Sequence, residues 1–371
     1  MTRTSPTQTS AARVEALARG VKAAIVPIAI LEVFVIVVGA VVTSSGGTLG
    51  YDFLAYLRAA QRVLAGLPLY DVTADVAGPF GLYLYPPPFI LPIIPFTALS
   101  EAGAAWMWTI LLLVAFFVGV AVLPVRRDVK WWIVLLGGLS LPFAYSVKLG
   151  QVAPVLFLLF AVGWRWIDRP LVLGASAALG ALVKLQPGLV LVWAALSGRW
   201  RSVAAGAAVL ATGSIVATLV LGAGPWADYA DLVRRVTAPV TTPNDFTPGA
   251  VAYQLGAPEA LASAIQLVSM AFAGGVVLHA SRRASPTQGY LVTVVASQLL
   301  SPIVWEHYAV VLLLPTAYLL EKGRRWAVLI PLATSTPLIW LTPPIAYPIA
   351  FFAGLLCPLA VRDPGVGGAR T

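Results

Sequence analysis

The stretch AAIVPIAILEVFVIVVGAVV at residues 23–42 decides the fold class, because it is apolar along its whole length apart from Glu32. An α-helix needs about 20 such residues to cross the roughly 30 Å of hydrocarbon in a bilayer. Further apolar runs of comparable length lie at 103–123, 201–222 and 259–280. The sequence therefore predicts a protein that crosses a membrane several times.

The composition of the chain leads to the same fold class. Of its 371 residues, 59% are hydrophobic and 11% are charged, and the mean hydropathy is +0.88. Water-soluble domains carry about twice this share of charge, so the bilayer must be part of the solvent. The dyad alternation of a transmembrane barrel is not seen in the sequence. We expect an all-α, polytopic transmembrane helical bundle that forms one integral membrane domain over 1–371.

The first apolar run follows a positively charged tail, which holds Arg3, Arg13, Arg19 and Lys22. A secretory signal peptide would end in a small-residue cleavage site, and the run lacks one before its polar end. The sequence therefore predicts an uncleaved first span with the tail on the cytoplasmic side.

The net charge of +9 does not indicate nucleic-acid binding, because the positive residues form short clusters between apolar segments and no basic domain. Such clusters mark cytoplasmic loops. They hold 18 of the 24 Lys and Arg residues and lie in the N-terminal tail, at 126–130, 164–170, 197–201, 281–283 and 321–325, and in the C-terminal tail. We expect a multi-pass protein of the cytoplasmic membrane, surrounded by lipid, with both termini inside.

This threading predicts about 12 spans. They lie near 23–43, 103–123, 131–147, 152–166, 170–185, 187–197, 201–222, 259–280, 287–304, 308–320, 326–341 and 345–361. The segment PPPFILPIIPF at 86–96 is too short and too rich in proline for a span, and we interpret it as re-entrant or interfacial.

Two long loops, 44–102 and 223–258, lie outside in this threading, so function is expected there. The segment DFLAYLRAAQRVLAG at 52–66 predicts a helix that begins near Asp52 as its N-cap and ends at Gly66. Its apolar and charged residues fall on different sides, which is typical of a helix lying along the membrane surface.

Polar groups near the membrane are costly, so each outward-facing one is a functional candidate. The predicted set is Asp52, Arg58, Arg62, Lys148, Gln151, Lys184, Gln186, Arg234, Arg235, Asp245, Glu306 and His307. Cations in such a set can hold a phosphate while a carboxylate accepts a proton. Aromatic side chains in the same regions suit sugar stacking or the headgroup belt. They are Tyr51, Tyr56, Tyr83, Tyr85, Trp226, Tyr253, Trp305 and Tyr308.

Several of these residues also have a purely structural explanation. Asp52 could serve only as a helix N-cap, which stabilises a helix by about 1 kcal/mol. Lys148 and Lys184 could extend from span ends toward the headgroups. Arg58 and Arg62 are better explained as anchors to anionic lipid headgroups, and contact with the donor phosphate is the alternative.

No metal and no cofactor are predicted. No His, Asp and Glu cluster has the spacing of metal ligands, and Cys357 is the single cysteine. A phosphate-cradling glycine loop and a dinucleotide-binding fingerprint are both missing from the sequence, which argues against direct use of a nucleotide sugar.

Five blocks of sequence carry a resemblance to a known family. They are YDFLAYLRAAQRVLAGLPLYD at 51–71, LYPPPFILPIIPF at 84–96, KLGQVAPVLFLL at 148–159, GALVKLQPGLVLVWAALSGRWR at 180–201 and SPIVWEHYAVVLLLP at 301–315. In this order they resemble the successive blocks of the family-87 glycosyltransferases, the polyprenyl-phosphate-mannose-dependent mannosyltransferases of the GT-C class.

The resemblance implies a GT-C type enzyme that moves a sugar, expected to be mannose, from a polyprenyl-phosphate donor to a glycolipid or lipoglycan acceptor outside the cytoplasmic membrane. Family members carry a catalytic Asp in the first outer loop, and Asp52 is the position that matches. Asp52 is then the expected general base of an inverting transfer. The expected contacts of the donor phosphate or sugar are Lys148, Gln151, Lys184, Glu306 and His307.

Other assignments stay open at this stage. An arabinofuranosyl donor would need similar phosphate contacts. A multispan transporter or lipid flippase would also carry charges in its membrane region, but it should show two related halves and polar groups near the bilayer midplane. A structural membrane subunit would leave the one-sided polar set unexplained.

Overall fold

The computed structural model describes residues 6–44, 49–71, 82–236, 240–242, 244–335 and 344–362. Within these ranges all regular secondary structure is helical, so the all-α prediction is confirmed. Parts of five predicted segments lie outside the described residues. They are 1–5 of the N-terminal tail, 45–48 and 72–81 of the first long loop, 237–239 and 243 of the second, 336–341 of one predicted span, and 363–371 of the C-terminal tail.

Sixteen α-helices run through the described residues. They are α1 (Pro6–Thr43), α2 (Tyr51–Leu64), α3 (Glu101–Val122), α4 (Arg127–Leu139), α5 (Leu141–Leu149), α6 (Ala153–Arg165), α7 (Pro170–Val183), α8 (Leu189–Leu196), α9 (Trp200–Leu221), α10 (Gly224–Val236), α11 (Pro248–Gln254), α12 (Glu259–Arg283), α13 (Pro286–Leu299), α14 (Leu313–Glu321), α15 (Leu329–Ala333) and α16 (Ala346–Leu356). Short 3-10 helices lie at Pro87–Ile90, Ile94–Ala98, Gln186–Gly188, Glu306–Leu312, Arg325–Val328 and Cys357–Ala360.

Four of the described helices are long and apolar enough to cross a membrane. They are the Ala23–Thr43 part of α1, α3, α9 and α12. The pair α4 and α5 makes a fifth candidate, bent by 64° at the break between them. Pro142 explains the bend, because proline lacks an N–H and its ring collides with the preceding turn. These helices make the protein a polytopic helical membrane protein, while the number of about 12 spans remains a prediction.

The outer surfaces of the long helices are apolar, as a lipid environment requires. Leu219 of α9 is 80% exposed and Leu267 of α12 is 67% exposed. Inside the bundle, Phe116 of α3 packs against Phe143 of α5 at 4.2 Å and Phe157 of α6 at 5.5 Å between ring centroids. The fold therefore has an aromatic core inside and an apolar surface outside.

Loop contacts fall into two groups that match the predicted sides of the membrane. On the predicted cytoplasmic side, the backbone N–H of Arg126 donates to Glu321 at 2.8 Å. On the other side, the N–H of Gly50 donates to the carbonyl of Lys148 at 2.8 Å, and the N–H of Phe246 to that of Val304 at 2.7 Å. Loops predicted to share a side are thus joined to each other.

The predicted surface helix and the segment at 86–96 both pack onto protein. In α2, the side chains of Phe53 and Leu57 are fully buried, while Leu64 at its end is 60% exposed. The two 3-10 helices after Tyr85 bury Ile90 and Ile93 completely. The apolar face of α2 is therefore covered by the bundle, whereas its sequence pattern had favoured contact with lipid.

Candidate active site

Two glycines bring the start of α2 against the end of α5. Gly50 precedes α2 with φ +72°, and Gly150 follows α5 with φ +76°. A Cβ atom on Gly150 would lie 2.6 Å from Cβ of Phe53 and 3.3 Å from Cα of Gly50, so only glycine fits there. The indole N–H of Trp108 also donates to the carbonyl of Gly150 at 2.8 Å. These contacts fix where the next residues of both segments lie.

Asp52 stands in the first turn of α2 and is not its N-cap. The N-cap is Gly50, with no side-chain hydrogen bond to the helix, so the N-cap prediction for Asp52 is wrong. A left-handed glycine begins the helix two residues earlier, and a Cβ atom there would lie 2.9 Å from Cβ of Ala105 in α3, which leaves no room for a side chain. The Asp52 carboxylate is therefore not engaged in capping.

The carboxylate of Asp52 instead meets a side chain from a distant part of the chain. The Gln151 amide donates to Oδ2 of Asp52 across 99 residues of sequence. Burial raises the pKa of the Asp52 carboxyl to about 6, while the hydrogen bond from Gln151 and the charge of Lys184 act in the opposite direction. A half-buried carboxylate with such a pKa suits a general base working near neutral pH.

A chain of hydrogen bonds continues behind Gln151. The hydroxyl of Tyr85 donates to Oε1 of Gln151 at 2.8 Å, and the hydroxyl of Tyr56 donates to that of Tyr85 at 2.7 Å. Gln151, Tyr85 and Tyr56 are all buried, with 6%, 6% and 1% of their surface exposed. The amide that contacts Asp52 is thus held from behind by two tyrosines.

Lys184 lies beside this carboxylate at the end of α7. Its Nζ is 3.7 Å from the ring centroid of Tyr308 and 5.8 Å from that of Tyr85. Both distances are typical of cation–π contacts. Its charge lowers the pKa of Asp52, so the two groups share one electrostatic environment. A cation next to a base is the arrangement that an anionic leaving group needs.

A small cavity adjoins Lys184. It has a volume of about 20 Å³, and its polar lining comes from Lys184, Gln186, Gln298, His307 and Tyr308. Among the described residues, neither Nε2 of His307 nor Oε1 of Gln186 has a hydrogen-bond partner. Burial lowers the pKa of His307 well below its usual value, with a further contribution from Lys184, so the imidazole is neutral. A neutral imidazole can still donate one hydrogen bond to a ligand.

Asp245 holds the segment that carries His307. Its Oδ1 accepts hydrogen bonds from the backbone N–H groups of Thr247 and Val304, and its Oδ2 accepts one from the Thr247 hydroxyl, all at 2.9 Å. The carboxylate is 1% exposed. Asp245 therefore joins the second long loop to the residues just before Glu306 through three hydrogen bonds.

The remaining predicted site residues are Lys148, Glu306, Arg58 and Arg62, and their side chains have other contacts. Lys148 Nζ is 5.7 Å from the ring centroid of Tyr145 on its own helix. Glu306 is half-buried, and burial raises the pKa of its carboxyl. Arg62 donates to the carbonyl of Pro68 at 3.0 Å and forms a 3.9 Å ion pair with Asp71, while Arg58 is exposed. The contacts of Arg62 are those of a residue that stabilises the loop after α2.

Several tyrosines were expected to stack on sugars or lie among headgroups, and the structure buries them. Tyr56, Tyr83, Tyr85 and Tyr308 are between 1% and 7% exposed. Tyr56 and Tyr85 pack edge to face at 4.8 Å between centroids. Tyr85 and Tyr308 contact the site residues Gln151 and Lys184, and all four rings are covered by protein.

Sequence reasoning missed the link of Tyr56 and Tyr85 to Gln151, and it gave Gln298 no role. The sequence identified these tyrosines only as aromatic groups, and nothing in their spacing indicates a hydrogen bond to Gln151 of the KLGQ segment. The run of prolines directly after Tyr85 was the available signal, because prolines restrict the backbone and so can fix a preceding side chain.

The fold and the site together define a class of protein: a polytopic helical membrane protein with a half-buried carboxylate, a neighbouring cation and a small polar cavity. The sequence profile of glycosyltransferase family 87 matches residues 83–302. The chain belongs to that family. It is therefore a helical membrane protein of a glycosyltransferase family.

A curated relative gives a more detailed comparison. The chain is 29% identical over 275 residues to a polyprenol-phosphate-mannose-dependent alpha-(1-2)-phosphatidylinositol pentamannoside mannosyltransferase from Mycolicibacterium smegmatis. The alignment covers 69% of this chain and 66% of the relative, which is just under two thirds of its length. No solved structure shows a significant match to the chain.

Proposed function

We propose that this protein transfers a mannosyl group from a polyprenyl-phosphate donor to a glycolipid or lipoglycan acceptor on the non-cytoplasmic face of the cytoplasmic membrane. The observation that carries the proposal is the Asp52 carboxylate, oriented by Gln151 and set beside Lys184. One oxygen of the Asp52 carboxylate accepts a hydrogen bond from Gln151, and the other oxygen can receive a proton. The proposed enzyme is of the GT-C type and uses no cofactor.

Asp52 acts as the general base of an inverting displacement. It removes the proton of the acceptor hydroxyl while that oxygen attacks the anomeric carbon of the donor sugar. The bond between the anomeric carbon and the phosphate oxygen breaks on the opposite face, and the polyprenyl phosphate leaves with the electron pair. A pKa of about 6 leaves the Asp52 carboxylate ionised at neutral pH and still able to accept the proton.

The phosphate leaving group gains negative charge in this step, and Lys184 is the residue best arranged to stabilise it. Lys184 lies next to the small cavity where Nε2 of His307 has no partner among the described residues. A neutral His307 and Lys184 can together donate to phosphate oxygens. Lys148 and Glu306 stay proposed contacts of the donor, at the edge of this group.

The identity of the sugar and of the acceptor rests on the relative. The name of that enzyme specifies polyprenol-phosphate-mannose and phosphatidylinositol pentamannoside. By analogy, mannose and a lipid-linked glycan are the proposed substrates here. An arabinofuranosyl donor is the alternative that a substrate comparison would reveal.

The outward orientation of the site is supported by charge. With the positive clusters in the cytoplasm, about 12 spans place the loops at 44–102 and 223–258 outside. The donor then reaches the site laterally through the bilayer, with its phosphate at headgroup depth. Family membership favours this enzyme over a transporter or flippase.

The test uses purified protein in nanodiscs with a lipid-linked glycan acceptor. Polyprenyl-phosphate mannose, polyprenyl-phosphate arabinofuranose and a nucleotide-linked mannose are each offered as donor. We expect transfer from the polyprenyl-phosphate mannose, and no transfer after Asp52→Asn, because an amide cannot accept the proton.

Glu101→Gln is the matched control, since Glu101 is an exposed carboxylate in the first turn of α3. It should leave activity unchanged. Transfer from the nucleotide sugar alone, or near-normal turnover by the Asp52→Asn protein, would overturn the proposal.

A further inference from the structure

The directions of the hydrogen bonds around Gln151 are linked to one another. An ionised carboxylate only accepts hydrogen bonds, so Gln151 must turn its NH₂ group toward Asp52. Its carbonyl oxygen then faces Tyr85, which must donate its single hydroxyl proton to it. The Tyr85 hydroxyl can therefore only accept from Tyr56, and Tyr56 donates to it. Each group in the chain is held in one orientation by the next.

We propose that Tyr85 is a positioning residue, which holds the Gln151 amide in the orientation that donates to Asp52 and so favours the ionised carboxylate. This inference rests on the proposed role of Asp52 as general base. In this scheme Tyr85 contacts neither the acceptor oxygen nor the anomeric carbon, because it acts through Gln151. Tyr56 supports Tyr85 from behind and is the second member of the same chain.

Tyr85 is itself rigidly held, as a positioning residue has to be. The hydroxyl of Tyr70 donates to the backbone carbonyl of Tyr85 at 2.6 Å. Pro86 and Pro87 follow directly and restrict the backbone. The Tyr85 ring also packs against Phe89 at 5.0 Å between centroids. These contacts fix the position of the Tyr85 hydroxyl independently of Gln151.

Other groups also act on Asp52, and the test has to separate them. The charged and titratable groups that face it are Lys184 at the end of α7, Tyr145 of α5, Tyr51 and Tyr56 of α2, and Tyr85. Lys184 favours the carboxylate by its charge and loses its own proton as the pH rises, so it affects the alkaline limb of activity. The acid limb reports Asp52.

The experiment compares Tyr85→Phe with the wild-type protein by the pH dependence of kcat/KM. Without the Tyr85 hydroxyl, the carbonyl oxygen of Gln151 loses its hydrogen-bond donor. The orientation of the Gln151 amide is then less fixed, and the hydrogen bond that it donates to Asp52 weakens. We expect the acid limb to move up by about one pH unit, since one such shift corresponds to a tenfold change in ionisation. The rate should return to within about twofold of wild type above the new limb, whereas a loss of packing lowers the rate at every pH.

Tyr83→Phe is the matched control. Tyr83 belongs to the same aromatic cluster and is 5% exposed, but its hydroxyl donates to the carbonyl of Pro86 and not to Gln151. It should leave the acid limb in place. Tyr56→Phe should move the limb in the same direction as Tyr85→Phe by a smaller amount. In a Gln151→Leu background, Tyr85→Phe should add nothing further, because Tyr85 acts through the amide.

A second measurement does not depend on catalysis. A hydrophobic carbodiimide modifies protonated carboxyl groups, and mass spectrometry can follow its reaction at Asp52 as the pH is varied. The midpoint of labelling should rise by the same pH shift in the Tyr85→Phe protein. An unchanged midpoint together with an unchanged acid limb would overturn the inference. Activity of the Asp52→Asn protein would instead overturn the proposed function, even if the midpoint moved.

Discussion

The N–H of Gly50 donates to the carbonyl of Lys148, and a Cβ on Gly150 would lie 3.3 Å from Cα of Gly50. This contact between two left-handed glycines brings Asp52 and Gln151 together, although the segments that carry them are far apart in sequence. The geometry of the candidate base therefore depends on the absence of two side chains.

The first prediction follows from that contact. Gly150→Ala should destabilise the protein by about 2–5 kcal/mol, because the left-handed backbone costs about 1–2 kcal/mol and overpacking against Phe53 a further 1–3 kcal/mol. Activity should fall by more than tenfold as Gln151 is displaced. Gly66→Ala is the control, since Gly66 has φ +73° but open space around it. Equal effects of both substitutions on melting temperature in detergent would show that only backbone strain matters.

The second prediction concerns the cost of keeping Asp52 charged. Because burial raises its pKa from 3.8 to about 6, the ionised folded state is disfavoured by roughly 2–3 kcal/mol at neutral pH. Asp52→Asn should therefore raise the melting temperature by several degrees at pH 7 while abolishing transfer. The increase in melting temperature should be constant above pH 6 and should decrease to zero between pH 6 and pH 4, because the carboxyl of the folded wild-type protein becomes protonated in that range. A variant no more stable than wild type at pH 7 would contradict the assigned pKa direction.

The third prediction separates two lysines that the sequence treated alike. Lys184→Ala should lower kcat/KM for the polyprenyl-phosphate donor by about tenfold or more, as expected for losing a hydrogen bond to a charged group worth about 1.5–3 kcal/mol. Lys148→Ala should have the smaller effect, because the Lys148 side chain lies over Tyr145 of its own helix. Steady-state kinetics over donor concentration give both values. A larger loss for Lys148→Ala would reverse the assignment of the phosphate contact.

The fourth prediction tests the threading through the membrane. In a Cys357→Ser background, Ser44→Cys at the end of α1 should react with an impermeant thiol reagent in intact cells. Asp168→Cys should react only after permeabilisation. Both positions are exposed, and replacing Asp168 leaves the positive loop around it intact. The opposite labelling pattern would place the Asp52 site in the cytoplasm.

The sequence could predict the helical segments and the candidate residues, because both depend on local information. Apolar runs specify where a helix can cross a bilayer, and predicted spans such as 201–222 and 259–280 agree closely with α9 and α12. The ordered blocks also indicated the family, which the profile match confirmed. The helix at 52–66 was predicted to within two residues at each end.

The partners of Asp52 could not be predicted in this way. Its contact with Gln151 spans 99 residues, and that of Gln151 with Tyr85 spans 66. Side-chain periodicity describes the faces of a single helix and contains no information about which distant loop packs on it. The N-cap prediction failed for the same reason, since Gly50 begins α2 at a place where a Cβ atom would lie 2.9 Å from Cβ of the distant residue Ala105.

The sequence by itself determined that this chain lies in a membrane and carries an acid and several cations on one predicted side, because hydrophobicity and charge are properties of the residues. Only the tertiary structure decided which of those groups meet. It buried Tyr56 and Tyr85 behind Gln151, placed Lys148 over Tyr145 and Lys184 over Tyr308, and gave Asp245 hydrogen bonds to Thr247 and Val304. Those outcomes depend on the close packing of helices. At Gly50 and Gly150 the absence of side chains lets α2 and α5 approach each other, and this approach sets the position of the Asp52 carboxylate.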